Sequence, residues 1–170
     1  KEGEMTDYAR EILSDGKLLR QKLEIFLQTP SKVEIYARAC EKFFAAGKQR
    51  ELNYVSTWSW WGFFGTLFFF LYRKENKIAA ALFAVVLTSC FIPFLDEYDR
   101  SIGMAVSVSS GTMAKYFVCY RFVALLDKGD DEALRRGGGV NRWAIWLAVI
   151  FYALVAIVFA LIISNGGKIQ

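Results

Sequence analysis

Histidine is absent from this sequence, and proline and cysteine are scarce, with two prolines and three cysteines in 170 residues. The lack of histidine removes the side chain that most often serves as a base at neutral pH and as a metal ligand. Cys40, Cys90 and Cys119 form no CxxC pair, which disfavours a zinc site or a disulfide framework. We therefore expect no catalytic residue, no bound metal and no cofactor, and we expect that the protein is not an enzyme.

Charge is also missing, but only from part of the chain. Residues 1–56 contain ten Lys or Arg and nine Asp or Glu, whereas long stretches after Trp58 contain none. Hydrophobic residues make up 55% of the chain and aromatic residues 16%, a mixture typical of a small membrane protein with a water-exposed part. The sequence therefore predicts an all-α integral membrane protein, with a polar amphipathic helical module at 1–51 and a membrane module at 52–170.

Two short amphipathic helices are predicted in the polar module. Residues 6–28 carry a stripe of apolar side chains at helical spacing, with Ser14-Asp15-Gly16 as a candidate break. The second helix follows Pro30; its start matches the capping-box pattern Ser31-Lys32-Val33-Glu34, and Gly47 is suited to end it. Helices of this size bury little apolar surface by themselves. They therefore require a third surface, which is the bilayer interface, the membrane module or a partner protein.

Four apolar segments follow, at 52–72, 78–95, 101–126 and 143–163. The last is the strongest, because it has no charged residue and begins with Trp143 and Trp146 as an aromatic anchor. The second is also long enough to span a bilayer, while the third is richer in small residues and carries two cations. The first has a strongly apolar part that, as a helix, covers only about three quarters of a roughly 30 Å hydrocarbon core.

The distribution of Lys and Arg predicts the orientation. There are three in the loop 73–77, one in 96–100 and four in 127–142, so the positive-inside rule places the first and third of these loops in the cytoplasm. Lys48 and Arg50, which precede the first apolar segment, favour the cytoplasm too. We therefore expect 52–72 to be a re-entrant or interfacial aromatic segment that is followed by three transmembrane helices. The alternative is four transmembrane helices with an exported N-terminal module.

A family resemblance rests on the stretch Trp60–Lys74, in which aromatic residues and glycine lead into Leu71-Tyr72-Arg73-Lys74. This stretch resembles the core of the DUF2628 family of bacterial membrane proteins, whose function is uncharacterised and whose hydrophobic segment typically ends in Tyr-Arg-Lys. The aromatic run with basic residues at 115–121 is similar to a later segment of that family. The likeness covers roughly residues 58–126, and the chain departs from it at Glu75-Asn76. It implies a bacterial inner-membrane location and supplies no catalytic residues.

Small residues recur at every fourth position at Gly103, Ser107 and Gly111, a pattern that lets two membrane helices approach closely. We expect these three residues to form a helix-packing interface. Lys115 continues the same stripe one turn later. Its ammonium group either reaches back toward the headgroups or points inward, where it would contact a partner or line a lumen.

The remaining cations near the apolar segments are expected to fix the topology and to contact lipid headgroups. They are Arg73, Lys74, Lys77, Arg135, Arg136 and Arg142. The glycines at 137–139 could expose backbone amides to a phosphate, but a flexible linker with headgroup contacts accounts for them as well. The net charge of +4 is small, so we expect no nucleic-acid partner.

These features predict a non-catalytic accessory or scaffolding subunit, located in the bacterial inner (cytoplasmic) membrane as a multi-pass protein with a cytoplasmic N-terminal module. Its expected partners are membrane lipids and either another membrane protein or further copies of itself. The small-residue stripe and the amphipathic module would provide the contacts. The alternative is a small homo-oligomeric channel or transporter with Lys115 facing the lumen. All Asp and Glu residues lie outside the apolar segments, which disfavours an ion-coupled carrier.

Overall fold

The structure is a computed structural model that describes residues 5–91 and 99–164. Within these residues the protein is all-helical, as predicted, and contains no strand. The α-helices are α1 (Asp7–Ser14), α2 (Gly16–Leu27), α3 (Val33–Ala46), α4 (Trp60–Tyr72), α5 (Asn76–Phe91), α6 (Asp99–Leu126), α7 (Asp131–Gly137) and α8 (Trp143–Ser164). The end of the predicted 78–95 segment, from residue 92 onward, lies outside the described residues.

The predicted break in the first amphipathic region is confirmed at Asp15, which separates α1 from α2. The backbone of Asp15 is extended, and its carboxylate accepts hydrogen bonds from the N–H groups of Lys17 (2.8 Å) and Leu18 (3.1 Å). These two amides begin α2 and would otherwise lack partners. Thr6 caps α1 in the same way through the N–H of Ala9.

The predicted start of the second helix is wrong in one detail. Ser31 does not cap it, because Pro30–Lys32 forms a single 3₁₀ turn and α3 begins without a side-chain cap. Glu34 is therefore free to pair with Arg20 of α2 (2.9 Å) and Arg38 of α3 (2.9 Å) instead. The predicted end at Gly47 is confirmed.

The apolar sides of α1, α2 and α3 pack on α7 and on the second half of α6. We call this unit, formed by α1–α3, α7 and residues 114–126 of α6, the helical domain. The rings of Phe26 in α2 and Phe122 in α6 lie 5.4 Å apart at its centre, and Phe43, Leu23 and Leu134 are fully buried around them. The segment predicted to be the membrane module therefore supplies the third surface that the N-terminal helices require, and residues 5–51 share their core with it.

Between α3 and α4 the chain makes turns at residues 47–50 and then leaves the helical domain through residues 52–59, which have no regular secondary structure. At the start of this stretch, the N–H of Asn53 donates to the carbonyl of Phe43 in α3 (3.0 Å). Six residues later, the N–H of Ser59 donates to the carbonyl of Gly111 in α6 (2.9 Å). The chain has thus moved along α6 to a point beyond the helical domain.

Helix α4 then returns along α6 toward the helical domain. It starts where Gly62 lies against Ala114, so closely that a Cβ atom on Gly62 would be 2.7 Å from the Ala114 Cβ. Further along, the rings of Phe70 and Phe117 are 6.0 Å apart, and α4 ends with Arg73 inside the helical domain. Both ends of the 52–72 segment are therefore on the same side of the molecule.

The helices α4, α5 and α8, with residues 99–113 of α6, project from the helical domain, and we call them the apolar helices. Among the described helices only α8 is both long and apolar enough to cross a membrane, and none of its most apolar stretch is buried inside the molecule. Helices α4 and α5 are apolar but shorter, and α6 contains too many small and polar residues. By this measure the structure supports one spanning helix rather than the three that were predicted.

Candidate functional site: the junction of the helical domain and the apolar helices

Charged residues meet where the apolar helices enter the helical domain, and we call Tyr36, Arg73, Glu75 and Arg121 the junction cluster. Arg73 is only 7% exposed. Its guanidinium carbon lies 5.0 Å from the centre of the Tyr36 ring and 5.5 Å from that of Tyr72. Its Nε and Nη1 atoms are buried and have no hydrogen-bond partner among the described residues. The electron-rich faces of the two rings attract the buried guanidinium. A desolvated cation–π contact of this kind stabilises the folded protein by about 2 kcal/mol.

The ion pair of the junction cluster, Arg121 with Glu75, connects α6 to α7 and to the turn between α4 and α5. Arg121 of α6 lies 3.6 Å from the Glu75 carboxylate and also donates to the carbonyls of Lys74 and Gly137. Burial raises the pKa of Glu75 to about 7, and the nearby Arg121 guanidinium opposes only part of this effect. The pair thus ties the turn between α4 and α5 to the end of α7, through a carboxyl group that titrates near neutral pH.

Two cysteine thiols beside the junction cluster are buried rather than exposed to solvent. Cys40 and Cys119 are free and fully buried, and Cys119 Sγ lies 3.8 Å from the carbonyl of Tyr36. Among residues 5–91 and 99–164, no group of three or more Cys, Asp or Glu side chains is arranged to hold a metal ion. The two thiols therefore belong to the packed core beside the junction cluster.

The predicted small-residue stripe does not form one open face. A Cβ atom on Gly111 would lie 3.1 Å from Phe63 and 3.3 Å from Trp58, so this glycine already packs against its own chain. On Gly103, in contrast, such a Cβ would meet no atom of the described residues within 4 Å, and Ser107 is half-buried. The structure consequently separates Gly111 from the other two predicted interface residues.

Lys115 lies one turn beyond Gly111, at the end of α6 that enters the helical domain. Its side chain is half-buried, and no salt bridge to it is found among the described residues. The adjacent Tyr116 hydroxyl donates to the carbonyl of Leu52 (3.4 Å). It is therefore Tyr116 that contacts the segment preceding α4, and a contact of Lys115 with a partner or a lumen stays a prediction.

The predicted headgroup cations are in different environments. Lys77, Arg135, Arg136 and Arg142 are exposed, and Arg136 pairs with Glu132 one turn earlier in α7 (2.8 Å). Lys74 is half-buried. Arg73 departs from the expectation, since it is buried between Tyr36 and Tyr72 and is unavailable to headgroups in this arrangement.

The glycine-rich loop after α7 packs closely against the end of α2. Gly139 has a φ of +77° and donates its N–H to the carbonyl of Phe26 (2.7 Å). A Cβ atom on Gly138 would lie 2.0 Å from that same carbonyl. The backbone of this loop is therefore held against α2, which accounts for both glycines without a phosphate.

Aromatic residues collect at the point where the chain reverses, and we call this group the aromatic tip. Its residues are Trp58, Trp60, Trp61, Phe63 and Phe64. The rings of Trp60 and Phe64 are stacked at 5.8 Å, and Trp58 lies 5.2 Å from Trp60. The three outermost side chains, those of Trp60, Trp61 and Phe64, are 63%, 75% and 63% exposed. The aromatic tip thus presents a large apolar surface at the far end of α4.

Comparison of the chain with protein-family models, with curated proteins and with solved structures found no match. The resemblance to the DUF2628 family stays a prediction.

Sequence reasoning missed the junction cluster. Arg73 and Arg121 stood out only as ends of apolar segments, and Tyr36 only as a member of the apolar side of α3. The available signal was the presence of cations directly next to aromatic residues, in Tyr72-Arg73 and Tyr120-Arg121. A cation in such a position either reaches the headgroups or stacks on a ring, and the spacing along the chain does not distinguish the two.

Proposed function

We propose that this protein is a non-catalytic accessory subunit of the bacterial inner membrane, with the helical domain in the cytoplasm and the apolar helices in the bilayer. The division of the molecular surface supports this. Almost every side chain of α8, and most of those from Phe83 to Phe91 in α5, are exposed. An apolar surface of this extent, on helices that project from a charged domain, matches hydrocarbon better than water.

A three-span topology with a re-entrant α4 accounts for the directions of the helices. Helix α5 starts at the helical domain with Ala79 buried in its core, α6 enters the domain, and α8 leaves it after the buried Ala144. Arg121 and Asn141 hold the two ends of the apolar helices together through the carbonyls of Lys74 and Tyr72. We propose that α5, α6 and α8 each cross the bilayer, and that the chain from Asn53 to Tyr72 enters and leaves on the cytoplasmic side.

The main support for an accessory role is the sparse packing among α5, α6 and α8. Helix α8 packs on α4 and has little or no contact with α5 or α6 in the described residues. Gly103 on α6 likewise has no close neighbour among the described residues. Membrane helices gain stability from close packing at small residues. We infer that a second membrane protein, or another copy of this chain, packs along α6 at Gly103 and Ser107.

The test is purification of the tagged full-length protein from native membranes in mild detergent, with the bound proteins quantified by mass spectrometry. A companion in stoichiometric amount should be lost with Gly103→Leu. It should be kept with Ala105→Leu, which adds the same side chain to an exposed site on a different face of α6. A stable monomer in which both substitutions are silent would contradict the proposal.

A homo-oligomer without any companion would favour the alternative function, a small channel or transporter with Lys115 facing the lumen. In that case the purified oligomer should conduct or transport in vesicles, and Lys115→Met should abolish the flux without changing the assembly. Retention of the flux in Lys115→Met would exclude this role for the lysine.

A further inference from the structure

Two connections between helices lie side by side next to the junction cluster. The N–H of Asn141 donates to the carbonyl of Tyr72 (2.8 Å). The guanidinium of Arg121 donates to the carbonyls of both Lys74 and Gly137. The turn that joins α4 to α5 is therefore held against the loop that joins α7 to α8, although the two are more than 60 residues apart in the chain.

These two connections carry an excess of positive charge. Lys74 lies in the α4–α5 turn, Lys77 in the first turn of α5, and Arg142 immediately before α8, and we call these three residues the basic patch. In the part of the chain that the structure describes, none of them forms a salt bridge. The one acidic residue of the two connections, Glu75, lies beside Arg121 instead (3.6 Å). The basic patch therefore keeps its positive charge available for an anion.

An apolar surface begins directly beside the basic patch. Helix α8 starts at Trp143, the residue after Arg142, and the side chains of Trp143 and Trp146 are exposed. Most side chains of α5 from Phe83 to Phe91 are exposed as well. A ligand with an anionic head and hydrocarbon chains matches both surfaces, whereas a soluble phosphate ester would use only the cations.

We infer that the basic patch binds the headgroup of an anionic phospholipid, whose acyl chains lie along the exposed sides of α5 and α8. This inference rests on the proposed membrane location. The guanidinium of Arg142 can hold two phosphate oxygens at once, while Lys74 and Lys77 supply further positive charge. A zwitterionic lipid has an amine of its own that these three cations repel. Arg73 is buried and Arg136 is paired within α7, so neither belongs to this site.

The test is native mass spectrometry of the full-length protein in detergent, titrated separately with dioleoylphosphatidylglycerol and dioleoylphosphatidylcholine. We expect the first phosphatidylglycerol molecule to bind about tenfold more tightly than phosphatidylcholine, because each cation near an anionic headgroup raises the affinity by about fivefold. Equal affinities would overturn the inference. Glycerophosphoglycerol, the same headgroup without acyl chains, should not displace the lipid. Displacement at equal concentration would mean that the ligand is a soluble phosphate ester, which would also overturn it.

Matched double variants separate the basic patch from the net charge. Lys77→Gln with Arg142→Gln should weaken the binding of phosphatidylglycerol by about twentyfold and leave that of phosphatidylcholine unchanged. Lys17→Gln with Lys48→Gln removes the same charge from exposed sites on the helical domain and should have little effect. Equal weakening by the two double variants would overturn the basic patch as a site.

Alkaline extraction of native membranes separates this inference from the proposed function. Protein that is extracted completely at alkaline pH would contradict the proposed membrane location. Protein that stays in the membrane but shows no preference for phosphatidylglycerol would overturn the lipid site alone.

Discussion

The two halves of α6 lie in contrasting surroundings. In the half that belongs to the helical domain, Ala114, Val118, Phe122 and Leu126 are almost completely buried, whereas no residue from Arg100 to Ser109 is buried. Both halves are helical and both are largely uncharged. What differs is the presence of other helices with apolar sides to pack against, so burial along one continuous helix is decided by its neighbours.

The helices around each half explain this difference. Each of α1, α2 and α3 has an apolar side and a charged side, so the three can cover α6 and still face water. Helix α8 is apolar on all sides and cannot separate a core from water in this way. The helical domain is consequently held together by its own packing, while the apolar helices bury little of their surface inside the molecule.

The largest effect is expected when two phenylalanine substitutions are compared, one in the helical domain and one in the apolar helices. Phe122→Ala removes a fully buried ring from the centre of the helical domain, and we expect it to lower the free energy of unfolding by about 3–5 kcal/mol. Phe159→Ala removes a ring that is mostly exposed on α8, and its effect on unfolding in detergent should be small. Unfolding followed by circular dichroism measures both. A large loss of stability in Phe159→Ala would mean that α8 packs against protein, and the contrast would fail.

Alanine substitutions at two glycines test the same contrast between packed and exposed surroundings. Gly62→Ala places a methyl group where only 2.7 Å separates it from Ala114, which would force α4 away from α6 and cost about 1–3 kcal/mol. Gly103→Ala adds the same group to open space in the interior of α6, so helix propensity should make it neutral or stabilising by up to about 1 kcal/mol. The same unfolding assay measures both, and the prediction fails if the two variants are equally stable.

The sequence predicted most of the helices and their order, because these depend on neighbouring residues, but it missed α7, which lies in the predicted loop 127–142. The break at Asp15, the end of α3 at Gly47 and the extent of α8 all follow from local capping and from hydrophobic patterning. The cations on both sides of the 52–72 segment indicated that this segment is re-entrant, and this topology stays a prediction.

The sequence could not predict the contacts between distant residues. Tyr36 and Arg73 are far apart in the chain, and helical periodicity gives the face of each residue but not the residue opposite. Gly111 fitted a pattern for association between helices, yet Trp58 and Phe63 of the same chain fill that space. The capping box at Ser31 was wrong because Pro30–Lys32 forms a 3₁₀ turn, and Glu34 pairs with Arg20 and Arg38 instead.

The pH dependence of stability tests the boundary between the two regions. Burial raises the folded-state pKa of Glu75 to about 7, above its usual value of 4.5. Between these pH values the folded protein binds more protons than the unfolded chain, so stability should fall as the pH rises from about 5 to about 7. After allowance for partial solvation, we expect a change of at most about 2 kcal/mol.

The control for this prediction is Glu75→Gln, which keeps the shape of the side chain and cannot ionise. Its contribution to stability should not vary over this pH range, and the variant should be more stable than the wild type at pH values above about 7. Unfolding curves across this range measure both proteins. A stability of the wild type that rises with pH through this window would show that Arg121 holds Glu75 ionised, and that burial is not the dominant influence.

The smallest expected effect concerns the hydrogen bond between α8 and α4. The Tyr152 hydroxyl donates to the carbonyl of Phe64, close to Thr66, where the backbone of α4 departs from helical geometry. Since α8 has few other contacts, loss of this bond in Tyr152→Phe should destabilise the α4–α8 contact by about 0.5–1.5 kcal/mol. Tyr120→Phe is the matched control, because its ring is 58% exposed on α6 and no hydrogen bond of its hydroxyl is found in the described residues. Cross-linking between cysteines introduced at Leu67 and Phe151 would report the separation of α4 from α8, and equal cross-linking in both tyrosine variants would show that ring packing alone holds α8 in place.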